Sequence, residues 1–182
     1  YARARPAAPR GARVPQVTGP VTHPSPRYVS TVEVVSARDM FEAVTSISQE
    51  QDIIIKAAAE ADYRPAVTET EKIKKKGGTL TLELERTDDI LKWLGEHKRG
   101  GQFLCGFSME TQNLVENSRE KLKKKNLDMV AANSLKVKGA GFGVDTNVVT
   151  LITENQEVEL ELMEKEAVAD RLLTEISRMM DQ

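Results

Sequence analysis

Short apolar runs alternate with amphipathic stretches along this chain, and that rhythm predicts a layered α/β fold. Residues 52–59 (Asp-Ile-Ile-Ile-Lys-Ala-Ala-Ala) are β-branched or apolar at nearly every position, the pattern of a strand covered on both faces. Residues 102–107 and 127–133 follow the same pattern. Between those two, residues 110–125 place Leu114, Asn117, Ser118, Lys121 and Leu122 three or four apart among charges, with no Pro or Gly, which predicts a helix. Upstream, residues 32–35 predict a short strand. Ser36 then caps a helix over residues 37–51, with Met40, Ala43, Val44 and Ile47 on one face. Strand, helix, strand, helix, strand implies right-handed crossovers and a largely parallel sheet.

Other segments depart from this rhythm. Residues 79–85 alternate strictly, which predicts a strand with one buried and one wet face; Gly77 and Gly78 precede it. Residues 88–94 open a short helix with acids in its first turn. Residues 147–153 and 157–163 predict a hairpin about residues 154–156. A last amphipathic helix, residues 165–180, is expected to bury Val168, Leu172, Ile176 and Met179. The first 13 residues carry Ala at helical spacing, but Pro6 and Pro9 would each cost about 3 kcal/mol inside a helix, so distorted first turns are expected.

Composition narrows the picture only a little. A length of 182 residues with 40% hydrophobic and 30% charged residues suits one ordinary domain. The net charge of −2 gives no reason to expect nucleic acid as a partner, and no apolar run approaches the roughly 20 residues of a membrane span. With one cysteine, Cys105, set among apolar neighbours in a strand, the expectation is a core thiol and a cytoplasmic setting. His23 and His97 have no metal-ligand spacing.

Four segments carry candidate chemistry, each with a plain alternative. Lys56-Ala-Ala-Ala-Glu-Ala-Asp-Tyr-Arg-Pro65 sets small residues at a strand's carboxyl end, where open α/β sheets bind ligands. Asp62 there can accept bonds from a ribose or simply cap a turn. Residues 71–78 form a cationic loop suited to closing over a triphosphate, or a solvated surface loop. The cations of residues 120–126 fit a phosphate site or the dipole of a helix end. The glycines of residues 138–143 lack the strand-to-helix setting of a dinucleotide fingerprint, which weakens a third reading as a nicotinamide-dependent reductase.

Six stretches in order resemble the phosphopantothenoylcysteine synthetase family: Val17-Thr-Gly-Pro-Val21, Ala57-Ala-Ala-Glu-Ala-Asp-Tyr-Arg-Pro65, Glu71-Lys-Ile-Lys-Lys75, Gly106-Phe-Ser-Met-Glu-Thr111, Lys125-Asn-Leu-Asp128 and Gly141-Phe-Gly-Val-Asp-Thr-Asn147. The resemblance spans residues 1–182 as one domain. It implies a Rossmann-like, doubly wound, mostly parallel sheet with a small β arm, containing residues 79–85, for homodimerisation. It also implies a two-step ligation. The carboxylate of 4′-phosphopantothenate attacks the α-phosphate of CTP, pyrophosphate leaves, and the amine of L-cysteine displaces CMP from the acyl-cytidylate. By the same resemblance Lys72 closes over the reacting phosphates. Lys56, Ala57, Ala58 and Asp62 line the nucleotide, as do Asp88, Asp89, Ile90, Leu91, Phe107, Lys121 and Lys125. Mg²⁺ comes with the triphosphate, and FMN is implied only if a decarboxylase domain is fused upstream. The family's first strand and its Asn and Ser-Ser-Gly-Lys phosphate loop would precede Tyr1, so a non-catalytic nucleotide-binding fragment is the alternative. Asp88 and Ser134 stand where the family has Pro and Asp.

Overall fold

The computed structural model describes residues 4–21, 24–74, 77–110, 112–134 and 144–181. His23, Lys75, Thr111 and the glycine-rich residues 138–143 lie outside them.

The central sheet grows from three parallel strands, β3 (Ile53–Lys56), β6 (Phe103–Glu110) and β7 (Met129–Ser134), continued antiparallel by β9 (Val149–Ile152) and β10 (Glu157–Glu159). Side-chain alternation explains why it has layers on both sides. Leu104 on β6 and Val130 and Ala132 on β7 join one core with Leu122 of helix α3 (Leu114–Lys124) and Ile90, Leu91 and Leu94 of helix α2 (Ile90–Glu96). Phe103, Cys105, Met129 and Ala131 face the other way, onto Val168, Leu172 and Ile176 of helix α4 (Lys165–Met180). Met179 is only partly buried there. The predicted α/β class, the three central strands, the hairpin and the last helix are therefore present, and Cys105 is a buried core thiol. Among the described residues no helix is long and apolar enough to cross a membrane.

A second, two-stranded parallel sheet pairs β1 (Val14–Thr18) with β2 (Val29–Glu33), and helix α1 (Ala37–Ser48) follows it. The predicted strand at residues 32–35 is thus shifted, because pairing with β1 ends the ladder at Glu33; the Val34 amide still donates to the Thr18 carbonyl at 2.9 Å. Helix α1 starts where expected, on a capping box in which the Ser36 hydroxyl accepts from the Asp39 amide while the Asp39 carboxylate accepts from the Ser36 amide. It stops at Ser48 rather than residue 51, the last residues folding into a turn. Near the amino end, Ala8–Arg10 forms only a 3₁₀ turn, with Pro9 inside it, and Arg10 holds it against α4 through the Asp170 carboxylate at 2.7 Å.

Several boundaries and burials differ from expectation. Strand β3 is confined to Ile53–Lys56 and, among the described residues, hydrogen-bonds only to β6; both of its faces are covered, Ile54 packing on one core and Ile55 on the other, while Ile53 at its start is 37% exposed. Helix α3 begins at Leu114 because β6 runs on to Glu110. Asp89 is the cap of α2 rather than part of its first turn, its carboxylate accepting from the Lys92 amide at 2.9 Å. The largest difference is at residues 79–85. Only β5 (Leu84–Arg86) is a strand, paired antiparallel with β4 (Tyr63–Pro65), and Leu80, Leu82 and Leu84 are all exposed. Alternation there predicted a buried face, but among the described residues nothing covers these three leucines. Beyond the hairpin, β8 (Thr146–Asn147) pairs separately with β11 (Met163–Glu164).

Candidate functional site

Strand β3 ends at Lys56 beside Gly106 of β6, which runs on to Glu110, and the cap of α2 and the last turn of α3 come to the same place. Lys56, the last residue of β3, directs its ammonium to the Ala58 carbonyl at 2.8 Å and pairs with the Glu60 carboxylate. Lys121 donates to the Phe107 carbonyl of β6 at 2.7 Å. Lys125 pairs with the Asp89 carboxylate. The spacing of Lys121 and Lys125 sets both on one face of α3, as their separation of four requires.

Two local features hold this arrangement. The buried hydroxyls of Ser108 on β6 and Ser118 on α3 meet at 3.0 Å, tying helix to strand one turn before Lys121. Gly95 lets α2 approach the chain after α3: a Cβ there would lie 1.9 Å from the Lys125 carbonyl oxygen. Asn126 fixes the same junction, its amide donating to the Gly95 carbonyl at 2.8 Å.

The electrostatics follow from these contacts. Burial lowers the pKa of Lys121 below the ordinary lysine value, and the charges of Lys56 and Lys125 act in the same direction against Glu110 and Asp89. For Asp89 burial is the largest influence and pushes upward. Hydrogen bonds from Lys125 and the Lys92 amide, with the charges of Lys125 and Lys56, outweigh it, and the net shift is downward. Three ammonium groups thus share one strand-end site with Glu60 and Asp89, and the depression of Lys121 comes first from its burial and only then from the neighbouring charges of Lys56 and Lys125.

The structure gathers Lys56, Asp89, Phe107, Lys121 and Lys125 from the predicted set. Ala57 and Ala58 follow directly on β3 beside them. Ile90 and Leu91 are buried in the core, so only their backbone faces the site, and Asp88 is exposed. Asp62 is exposed and uses its carbonyl to accept the Thr87 amide at 3.0 Å. Lys72 is not brought in. It stands exposed on the segment between β4 and β5, and no contact among the described residues joins it to Lys121 or Lys125. The third member of the cationic group is Lys56 instead. Glu60 and Gly95 were missed by sequence reasoning. Neither carried a signal: Lys56 ends a strand and the chain to Glu60 is irregular, so their spacing of four brings them together only through the turn of the backbone, and a glycine inside a short helix does not announce which backbone it must admit.

The chain belongs to the family described as the DNA/pantothenate metabolism flavoprotein C-terminal domain, whose model matches residues 1–180. It is 46% identical over 184 residues, all of this chain and 45% of that protein, to the coenzyme A biosynthesis bifunctional protein CoaBC of Bacillus subtilis. It is also 43% identical over 172 residues, 93% of this chain and 48% of that protein, to a cysteine/cysteine sulfinic acid decarboxylase from an unknown prokaryotic organism. The chain therefore spans about half the length of these curated relatives. A crystal structure of the C-terminal domain of a CoaBC protein superimposes with a TM-score of 0.83 at 43% identity, covering all of this chain and 83% of that one.

Proposed function

We propose that this chain is the nucleotide-binding part of a ligase of coenzyme A biosynthesis, joining 4′-phosphopantothenate to L-cysteine at the expense of CTP. The observation that carries this reading is the meeting of Lys56, Lys121 and Lys125 at the carboxyl edge of parallel strands, in a chain whose CoaBC-type relative shares 46% identity. Activation is needed because a free carboxylate would have to expel oxide when an amine attacks it. Attack on the α-phosphate instead makes an acyl-cytidylate, a mixed anhydride, and releases pyrophosphate, and the amine then displaces CMP from its acyl carbon. The first step concentrates negative charge at phosphorus, which cations positioned beforehand stabilise. Lys121 and Lys125 are assigned to the phosphates, and the backbone of Lys56, Ala57 and Ala58 with Asp62 to the nucleoside.

Mg²⁺ is assigned to the triphosphate itself, since among the described residues no three His, Cys, Asp or Glu side chains converge. Among the described residues β1 and β3 each pair on one side only, yet Val17 and Ile54 pack against one core, which suits a further parallel strand between them. The exposed Leu80, Leu82 and Leu84 suit burial against a second copy of the chain, and a cytoplasmic setting accompanies the reading.

The test is release of pyrophosphate from CTP, against ATP as comparison, on adding 4′-phosphopantothenate to the protein with its complete amino end. Release that requires phosphopantothenate is the expected result, and none with either nucleotide would remove the ligase reading. Lys72→Ala is expected to lower turnover at least about tenfold while CTP affinity changes little, as befits a residue that engages only when its segment closes. A variant that bound CTP poorly but turned over normally would put Lys72 in ground-state binding instead.

A further inference from the structure

The contacts of Glu60 stand apart from the proposed reaction. One of its carboxylate oxygens pairs with the Lys56 ammonium; the other is buried and has no hydrogen-bond partner among the described residues. Both side chains are largely enclosed, Lys56 18% and Glu60 15% exposed. The charge of Lys56, like that of Lys125, reaches both Lys121 and Asp89, so it belongs to the same electrostatic group. On its far side Glu60 lines a cavity of about 370 Å³, to which Ser36, Arg38, Arg64 and Thr87 also contribute.

The geometry points to Glu60 as a built-in counter-ion that competes with the anionic ligand for Lys56 and so sets the site's affinity for polyphosphate. This rests on the nucleotide-binding reading above. A half-satisfied carboxylate is a poor permanent partner, because a buried oxygen without a donor carries the cost of its lost hydration. An incoming phosphate offers Lys56 a more highly charged acceptor. The released carboxylate has somewhere to go, since the cavity beside it provides space; Arg38 and Arg64, which also line it, are paired with Glu42 and Glu85. The arrangement resembles that of Lys125, whose pairing with Asp89 likewise occupies a cation until an anion arrives. Asp89, however, also caps α2 and keeps the Lys92 amide when Lys125 leaves, whereas Glu60 has no second hydrogen-bond partner among the described residues.

Titration calorimetry of the protein with its complete amino end, against inorganic pyrophosphate and against CTP, tests this. Glu60→Gln keeps the shape and a hydrogen bond to Lys56 but removes the competing charge, and should tighten pyrophosphate binding roughly tenfold. Lys56→Met should weaken binding, and combining it with Glu60→Gln should cancel the gain. Should Glu60→Gln not fold, Glu60→Asp, which keeps the charge but withdraws it from Lys56, should give a smaller gain of the same sign. A folded Glu60→Gln that binds no tighter than the parent, or a gain that persists with Lys56→Met, overturns the role of Glu60. That outcome leaves the ligase reading standing if the parent binds CTP. Failure of every variant and the parent to bind either ligand removes both.

Discussion

Lys125→Glu is expected to weaken CTP binding by about a hundredfold or more, in line with the 2–5 kcal/mol typical of disrupting an enclosed, hydrogen-bonded charge pair. The side chain of Lys125 is 17% exposed and rests on Asp89. Reversal removes a cation from the site and sets two carboxylates against each other where one was held down. It also changes the response to acid. In the parent the folded-state pKa of Asp89 lies below its ordinary value, so its stabilising contribution is complete above that value and is lost only as pH falls through the lower one. Burial, the largest influence on Asp89 and the one that raises its pKa, goes unopposed by Lys125 in the variant, and the acid-side loss of stability should move to higher pH. Calorimetric titration with CTP and thermal melts across the acidic range measure both effects. Unchanged affinity would place the phosphates elsewhere.

Gly95→Ala should produce the largest loss of stability of any Gly→Ala change among the described glycines. The new Cβ would lie 1.9 Å from the Lys125 carbonyl oxygen and 2.8 Å from its carbon, backbone atoms that cannot rotate aside. Overpacking of this kind costs about 3 kcal/mol or more, which for a domain of this size is about 6–12 °C in melting temperature. Relief requires α2 and the end of α3 to part, which separates Asp89 from Lys125 and breaks the Asn126 bond to Gly95, so CTP affinity should fall as well. Gly100→Ala is the control: a Cβ there meets nothing within 4 Å, and its melting temperature should stay near the parent's. Equal melting temperatures for the two variants would show that the approach of α2 to α3 is not tight.

Both expectations depend on a junction that is only half visible in the residues themselves. The i, i+4 pair Lys121 and Lys125 is written into α3, because one turn of helix brings them to one face in any fold. Their partners, the Phe107 carbonyl and Asp89, lie 14 and 36 positions away and meet them only because α2, β6 and α3 share one core.

Helix α4 and the capping box of α1 were legible for the same local reason: a period of 3.6 and a Ser–x–x–Asp cap need no knowledge of what packs beyond them. The alternation at residues 79–85 was equally clear, yet it specified an apolar face without specifying a neighbour, and in the folded chain Leu80 and Leu82 face outward. The three isoleucines of β3 indicated a strand but not its position at a sheet edge. What the sequence alone determined was therefore the identity and phase of elements held by contacts within a few residues, together with the family resemblance carried by ordered motifs. Which cations converge, that Lys56 rather than Lys72 completes the group, and that Glu60 opposes it were decided by tertiary structure. Charge interactions depend on distance through space, and only the packing of strands and helices sets that distance.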